Sequence, residues 1–205
     1  MRATPRLPRL CGLAAIAMLL GACGGGDGAP ATEHVVPDSS TQVVLPRPEP
    51  APPPVRPPAR DANQEFLRAM GDQAEGMIAI ASDAITGAAR PATQNDAQSM
   101  ATREEADQKE LAGLLRESYD EEFVPAVKPE HSAMLAELKA SAGDAYDRAF
   151  YRHSIAQQRE AIALIDASLP RLTDTSVRQV AERMRGELQR ELEQYLPKLD
   201  SLPGS

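Results

Sequence analysis

"FLRAMGDQAEGMI", residues 66–78, is the stretch whose reading decides the fold. Phe66, Met70, Ala74 and Met77 recur at helical spacing, and the stripe continues through Ile78, Ala81 and Ile85. Gln73 interrupts that stripe with an amide that needs a partner if it faces inward. The same oddity returns in "FYRHSIAQQREAI", residues 150–162, where Gln157 again follows a phenylalanine by seven positions. Phe66 and Phe150, Gln73 and Gln157, Ile78 and Ile162, and Met100 and Met184 are each separated by 84 residues, while "QKEL" at 108 and "QREL" at 189 are separated by 81. The chain therefore reads as a helical hairpin written twice. One hairpin cannot bury its apolar faces alone, whereas two antiparallel ones can.

Four long helices follow from this pattern. The first opens at Asp61, spaced with Gln64 as a capping box, and stops at "TGAARP". The second starts near Thr93, carries Ala97, Met100, Ala101, Leu111, Leu114 and Leu115 on one face, and fades at "ESYDEEFVP". Its charged middle, "TREEADQKE", reads as a solvated face. The third runs from Asp144 with Tyr146, Phe150, Ile155, Ile162, Leu164 and Ile165 inward, and closes at "SLPRL". The fourth begins at Thr175 or Ser176, where Ser176 and Gln179 have capping-box spacing, presents Val177 through Tyr195, and ends at Pro197. A shorter helix, "KPEHSAMLAELKASA", lies between the halves. The expected fold class is all-α, a ferritin-like four-helix bundle from two duplicated hairpins with that short extra helix between them. Low aromatic content, 3%, and the absence of tryptophan agree with helices over strands.

The ends carry different information. Arg2, Arg6 and Arg9 precede an apolar run from Leu10 to Leu20, a secretory leader too short to span a bilayer comfortably. Leu20-Gly21-Ala22-Cys23 resembles the bacterial lipobox, which implies that residues 1–22 are removed and Cys23 is acylated. Cys11 would leave with the leader, so no free thiol would remain for a metal or a nucleophile. Losing three arginines makes a formal charge of −8 more negative, which excludes nucleic acid as a partner class. The lipid, not a basic patch, would then hold the protein to a membrane. Residues 24–60, glycine-rich and then proline-rich, hold more than half of the chain's 18 prolines and read as a tether. At roughly 3 Å per residue that tether reaches on the order of 100 Å. The expected organisation is leader 1–22, lipidated cysteine and tether 23–60, bundle 61–200 (first repeat about 61–117, short helix about 129–142, second repeat about 144–196), and tail 201–205. Gly24 after the cysteine, by resemblance to lipoprotein sorting signals, points to an outer membrane and its periplasmic face.

"EFLRAMGDQAEGMIAIA" and "AYDRAFYRHSIAQQREAIALIDASLPRLTDTSVRQVAERMRGELQRELEQY" resemble the two halves of the bacterial family catalogued as domain of unknown function 305. A second ferritin-like family, 4142 in the same series, shares the hairpin architecture and is the weaker resemblance. Members of the first often carry "HHEG" or "HHREG" where this chain has "QAEG" and "QQREA", and some are periplasmic copper-binding proteins with His and Met ligands. The resemblance thus implies an export-side metal role, and places the histidine pairs on Gln73 with Ala74 and on Gln157 with Gln158. None of these four is a good copper ligand, so the inherited site reads as lost.

Other metal-ligating residues are few. His131 and Met134 form a His-x-x-Met on one helical face, a pairing suited to soft Cu(I), and His153 lies one turn before Gln157. The plainer readings are that methionines on apolar faces fill core and that His131, beside Glu130, is exposed. A di-iron site needs Glu-x-x-His on two helices, and that motif does not occur. Glu104, Glu105, Glu110, Glu187 and Glu191 read as solvated charge, which leaves Glu75 and Glu160 as the carboxylates to check for inward orientation. The expected function is a lipid-anchored envelope protein whose bundle serves as a non-catalytic binding or interaction module with no cofactor. The alternative is a weak copper-binding protein using His131, Met134 and His153, and an oxidoreductase comes third.

Overall fold

The computed structural model describes residues 55–204. The leader, Cys23, most of the tether and Ser205 lie outside the described residues. Five α-helices make up the fold: α1 (Ala62–Gly87), α2 (Pro91–Tyr119), α3 (Pro129–Lys139), α4 (Asp144–Ser168) and α5 (Thr175–Ser201), with a 3-10 turn at Leu169–Arg171. No strand occurs among the described residues, and none of their helices is long and apolar enough to cross a membrane. The fold is the all-α bundle of two hairpins, α1–α2 and α4–α5, with the short α3 between them.

Two buried clusters define its topology. One joins the end of α1 (Met77, Ile80, Ala84) to the start of α2 (Ala97, Met100), the start of α4 (Phe150, Tyr151) and the end of α5 (Tyr195). The other joins the start of α1 (Phe66, Leu67) to the end of α2 (Leu111, Leu115), the end of α4 (Ile165) and the start of α5 (Val177, Met184). The direction is therefore up for α1, down for α2 and α4, and up for α5. Residues 120–143 must run the length of the bundle, and α3 packs on α1 and α4 along that path. One long crossover between two hairpins is the ferritin-like connection. Each cluster takes a phenylalanine from one repeat and a methionine from the other, Phe66 with Met184 and Phe150 with Met100. That exchange is what a two-fold relation between the halves produces.

Local chemistry sets the ends. Asp61 caps α1, its Oδ1 accepting from Gln64 N at 2.9 Å, as the capping-box spacing predicts. Two expectations at the ends of other helices fail. The helix α5 starts at Thr175, as expected, but its cap is Asp174, whose Oδ1 accepts from Ser176 N at 2.8 Å and Val177 N at 3.0 Å, rather than Ser176. An aspartate two residues before Ser176 offers a charged acceptor to the first amides of the helix. Pro197 does not end α5, which continues to Ser201. Leu199 and Leu202 pack on the core beyond it and Lys198 reaches Asp96 at 2.6 Å, and these contacts outweigh one missing hydrogen bond in a last turn. The second helix also starts two residues before Thr93, at Pro91, a residue suited to a first turn.

The duplication shows most clearly at the turns. Asn63 Oδ1 accepts from the amides of Thr173 and Asp174 at 3.0 and 3.2 Å, tying the start of α1 to the α4–α5 turn. Asp147, at the position equivalent to Asn63, accepts from the amides of Ala89 and Arg90 at 2.9 and 3.1 Å, tying the start of α4 to the α1–α2 turn. Each hairpin thus caps the other's bend with one buried side chain.

Candidate functional site: the polar centre of the bundle

Gln73 and Gln157 meet. Gln73 Nε2 donates to Gln157 Oε1 at 2.8 Å, and both side chains are buried. Equivalent residues of two repeats that touch each other must sit on the axis relating those repeats. The same Gln157 oxygen lies 2.7 Å from His131 Nε2, so the ring carries its proton on Nε2 and donates. Gln157 Nε2 donates to Glu160 Oε2 at 3.1 Å, and Lys128 Nζ reaches Gln73 Oε1 at 3.4 Å. The amides therefore have hydrogen-bond partners, buried ones in each other and His131 and outer ones in Glu160 and Lys128.

His131 is not exposed, contrary to the expectation from its acidic neighbour. It is 0% accessible because α3 lies against α1 at Gly76. A Cβ on Gly76 would stand 2.0 Å from His131 Nδ1, so the glycine of "QAEG" makes room for the imidazole. Burial holds the His131 pKa below its usual value and keeps the ring neutral, with Nδ1 unpartnered against that glycine.

The remaining ligand candidates have neighbours of their own. His153 Nε2 lies 3.0 Å from Glu137 Oε2 on α3, and burial lowers its pKa while Glu137 opposes the shift. Met134 is half-buried and packs against the cluster of Met77, Tyr146 and Phe150. Ala74 is core. Gln158 Nε2 donates to Glu191 Oε2 at 2.8 Å while its Oε1 has no partner. Among the described residues no group of three or more His, Cys, Asp or Glu side chains is placed to hold a metal ion. Where the resemblance places copper-binding histidine pairs, amides bonded to one another and an alanine stand instead, and they do not fit that metal.

The inward carboxylates are not Glu75 and Glu160. Glu75 accepts from Gln108 at 2.8 Å at a half-buried position, and Glu160 is exposed. The middle of α2, expected to be solvated, buries Glu104 and Asp107 at 5% and 2% accessibility. The reason lies across the bundle: the α2 and α5 backbones stay apart, and long side chains close the seam. Arg103 reaches Glu104 at 2.8 Å, Asp107 at 3.4 Å and Glu191 at 2.6 Å. Arg183 reaches Asp107, Glu187 and Glu110 at 2.9, 2.7 and 2.5 Å. Burial pushes the Glu104 carboxyl up to about 7 against the pull of Arg103. "TREEADQKE" itself contains Arg103, which pairs with Glu104 and Asp107, but nothing in the stretch signals Glu191 and Arg183 of α5, which complete the cluster across the seam. Met70, Met77, Met184, Gln158 and Glu104 leave among them a gap with room for about one water molecule.

A ferritin-like bundle with an amide-filled centre defines the class. Residues 48–196 match the family model described as domain of unknown function (DUF4142), and the chain belongs to that family. Two solved structures share its fold. A DUF305 fragment from Deinococcus radiodurans superposes with a TM-score of 0.63 at 18% identity, covering 71% of this chain and 100% of that one. A DUF305 protein from Streptomyces coelicolor gives a TM-score of 0.61 at 13% identity, covering 71% of this chain and 96% of that one. The two families that the sequence resembles therefore meet in one architecture. No curated protein matches the chain.

Proposed function

We propose that this is a lipid-anchored cell-envelope protein whose bundle is a non-catalytic binding or interaction module, carrying a degenerate metal site. The observation that carries the reading is the closed polar centre. The Gln157 oxygen accepts from both Gln73 and His131, and the space beside the two glutamines suits one water rather than a substrate. Reaction chemistry needs a cavity that admits its reactant, and an amide oxygen already accepting two hydrogen bonds is a poor ligand for a soft ion. The leader, Cys23 and the tether support attachment to a membrane through acyl chains, with the bundle on the periplasmic side of the outer membrane.

Labelled palmitate should enter the wild-type protein and fail to enter a Cys23→Ala variant; equal incorporation in both would remove the anchoring claim. Copper is tested separately by Cu(I) titration of the full-length protein beside a His131→Ala, His153→Ala double variant. Equal affinities are expected. A wild-type site that the double variant loses would replace this reading with the copper-binding one using His131, Met134 and His153.

A further inference from the structure

The last residues before α1 are fastened to the bundle. Arg56 pairs with Asp72 through both arms of its guanidinium, Nη1 to Oδ2 and Nη2 to Oδ1, each at 2.8 Å. The same guanidinium lies 4.7 Å from the centre of the Phe123 ring, and Nη2 also meets the Val124 carbonyl. The Pro57 carbonyl accepts from Arg68 Nη1 at 2.7 Å, and Arg60 N donates to Gln64 Oε1 at 2.6 Å. The receiving groove has α1 as its floor and residues 121–126 of the crossover as its wall. Gly71 admits that wall, since a Cβ there would stand 2.4 Å from the Phe123 ring. Asp72 also holds it, accepting from Ala126 N at 2.8 Å.

We propose that this groove is a peptide-recognition site for arginine followed by proline in an extended chain, which the protein fills with its own Arg56-Pro57-Pro58. The chemistry selects both residue types. A planar five-donor fork matches two carboxylate oxygens and stacks on a ring at once, which an ammonium cannot do. Proline brings a fixed φ, so little chain entropy is lost on docking, and its missing N–H leaves no donor stranded against the groove. The Pro57 carbonyl then provides the backbone contact that Arg68 reads. Because the occupant is tethered, a peptide from another chain competes with a high local concentration of the resident segment. Arg47-Pro48, nine positions upstream, carries the same dipeptide.

This deepens the interaction-module reading and rests on it. The experiment is independent of the palmitate and copper tests, so its failure would leave the anchor and the metal question where they stand. Full-length protein carrying Arg56→Ala loses the guanidinium that fills the groove, so Asp72 and the Phe123 ring should be open to a competing arginine. A fluorescently labelled peptide of the sequence Pro54–Arg60 should bind this variant saturably, as read by anisotropy. Wild type should bind at least ten-fold more weakly because the site is filled. Adding Asp72→Ala to the vacated variant should abolish binding, and a peptide with lysine in place of its arginine should bind at least ten-fold more weakly. Arg56→Lys, which retains the charge, is the second variant if alanine there prevents folding, and the same peptide should displace its lysine. Absence of saturable binding to a folded Arg56 variant, or binding indifferent to Asp72, would overturn the proposal.

Discussion

Gln157 carries more of the centre than any other side chain, because one oxygen serves both His131 and Gln73. Gln157→Leu removes that acceptor and leaves two buried donors, Gln73 Nε2 and His131 Nε2, without the oxygen they share, at a cost of about 1–3 kcal/mol for each stranded group. Urea unfolding should show the midpoint falling with an unchanged slope, and pairing the change with Gln73→Leu should cost less than the two singles added together, since one shared bond is counted in both. Glu104 gives a pH prediction of definite sign. Its folded pKa, about 7, lies above the reference 4.5, with Arg103, Asp107 and Glu191 around it. The folded state therefore binds the proton more tightly than the unfolded chain, and its contribution to stability is full below about 4.5 and lost as pH rises through about 7. Glu104→Gln keeps the neutral form at every pH, so its melting temperature should gain on wild type by several degrees between pH 5 and pH 8.5. Parallel melting curves across that range would contradict the assignment.

At the scale of elements, helix ends and turns distinguish what local sequence can say from what it cannot. Asp174 is the cap of α5, so Asp174→Ala should lose about 1 kcal/mol and Ser176→Ala close to nothing, as thermal or urea unfolding will register. The capping spacing of Ser176 with Gln179 is genuine in the sequence, but the helix has already begun at Thr175, capped by Asp174 two residues before Ser176. Asn63 and Asp147 act over longer range: each accepts two amides of the opposite hairpin's turn. Alanine at either position should destabilise by about 1–3 kcal/mol, and the two losses should be of similar size because the two sites are equivalent. Their spacing equals that of the glutamines and was available in the sequence, yet a hydrophobic-stripe reading passes over a polar residue in a first turn. Pro197 taught the reverse lesson, since a helix stop read from the sequence gave way to Leu199, Leu202 and Lys198 anchoring the turn beyond it.

For the whole molecule, the seam between α2 and α5 is the part held most by charge. Arg103 balances Glu104, Asp107 and Glu191, so Arg103→Met would leave three carboxylates sharing a largely dry site. A loss of about 3–5 kcal/mol is expected at pH 8, measured by denaturant unfolding, and protonation of Glu104 should reduce it at pH 5. The four long helices, the antiparallel hairpins and the inward glutamines were legible in the sequence because periodicity and an 84-residue repeat are one-dimensional signals. Tertiary structure alone decided that the two glutamines bond each other, that His131 is buried over Gly76, that a charged run on α2 turns inward, and that Arg56 clasps the crossover. Each of these joins residues far apart in the chain, and a hydrogen bond or ion pair forms only where the fold sets both partners at one distance. A stripe of apolar residues can name the face that turns inward; what a polar group on that face meets depends on the helix opposite.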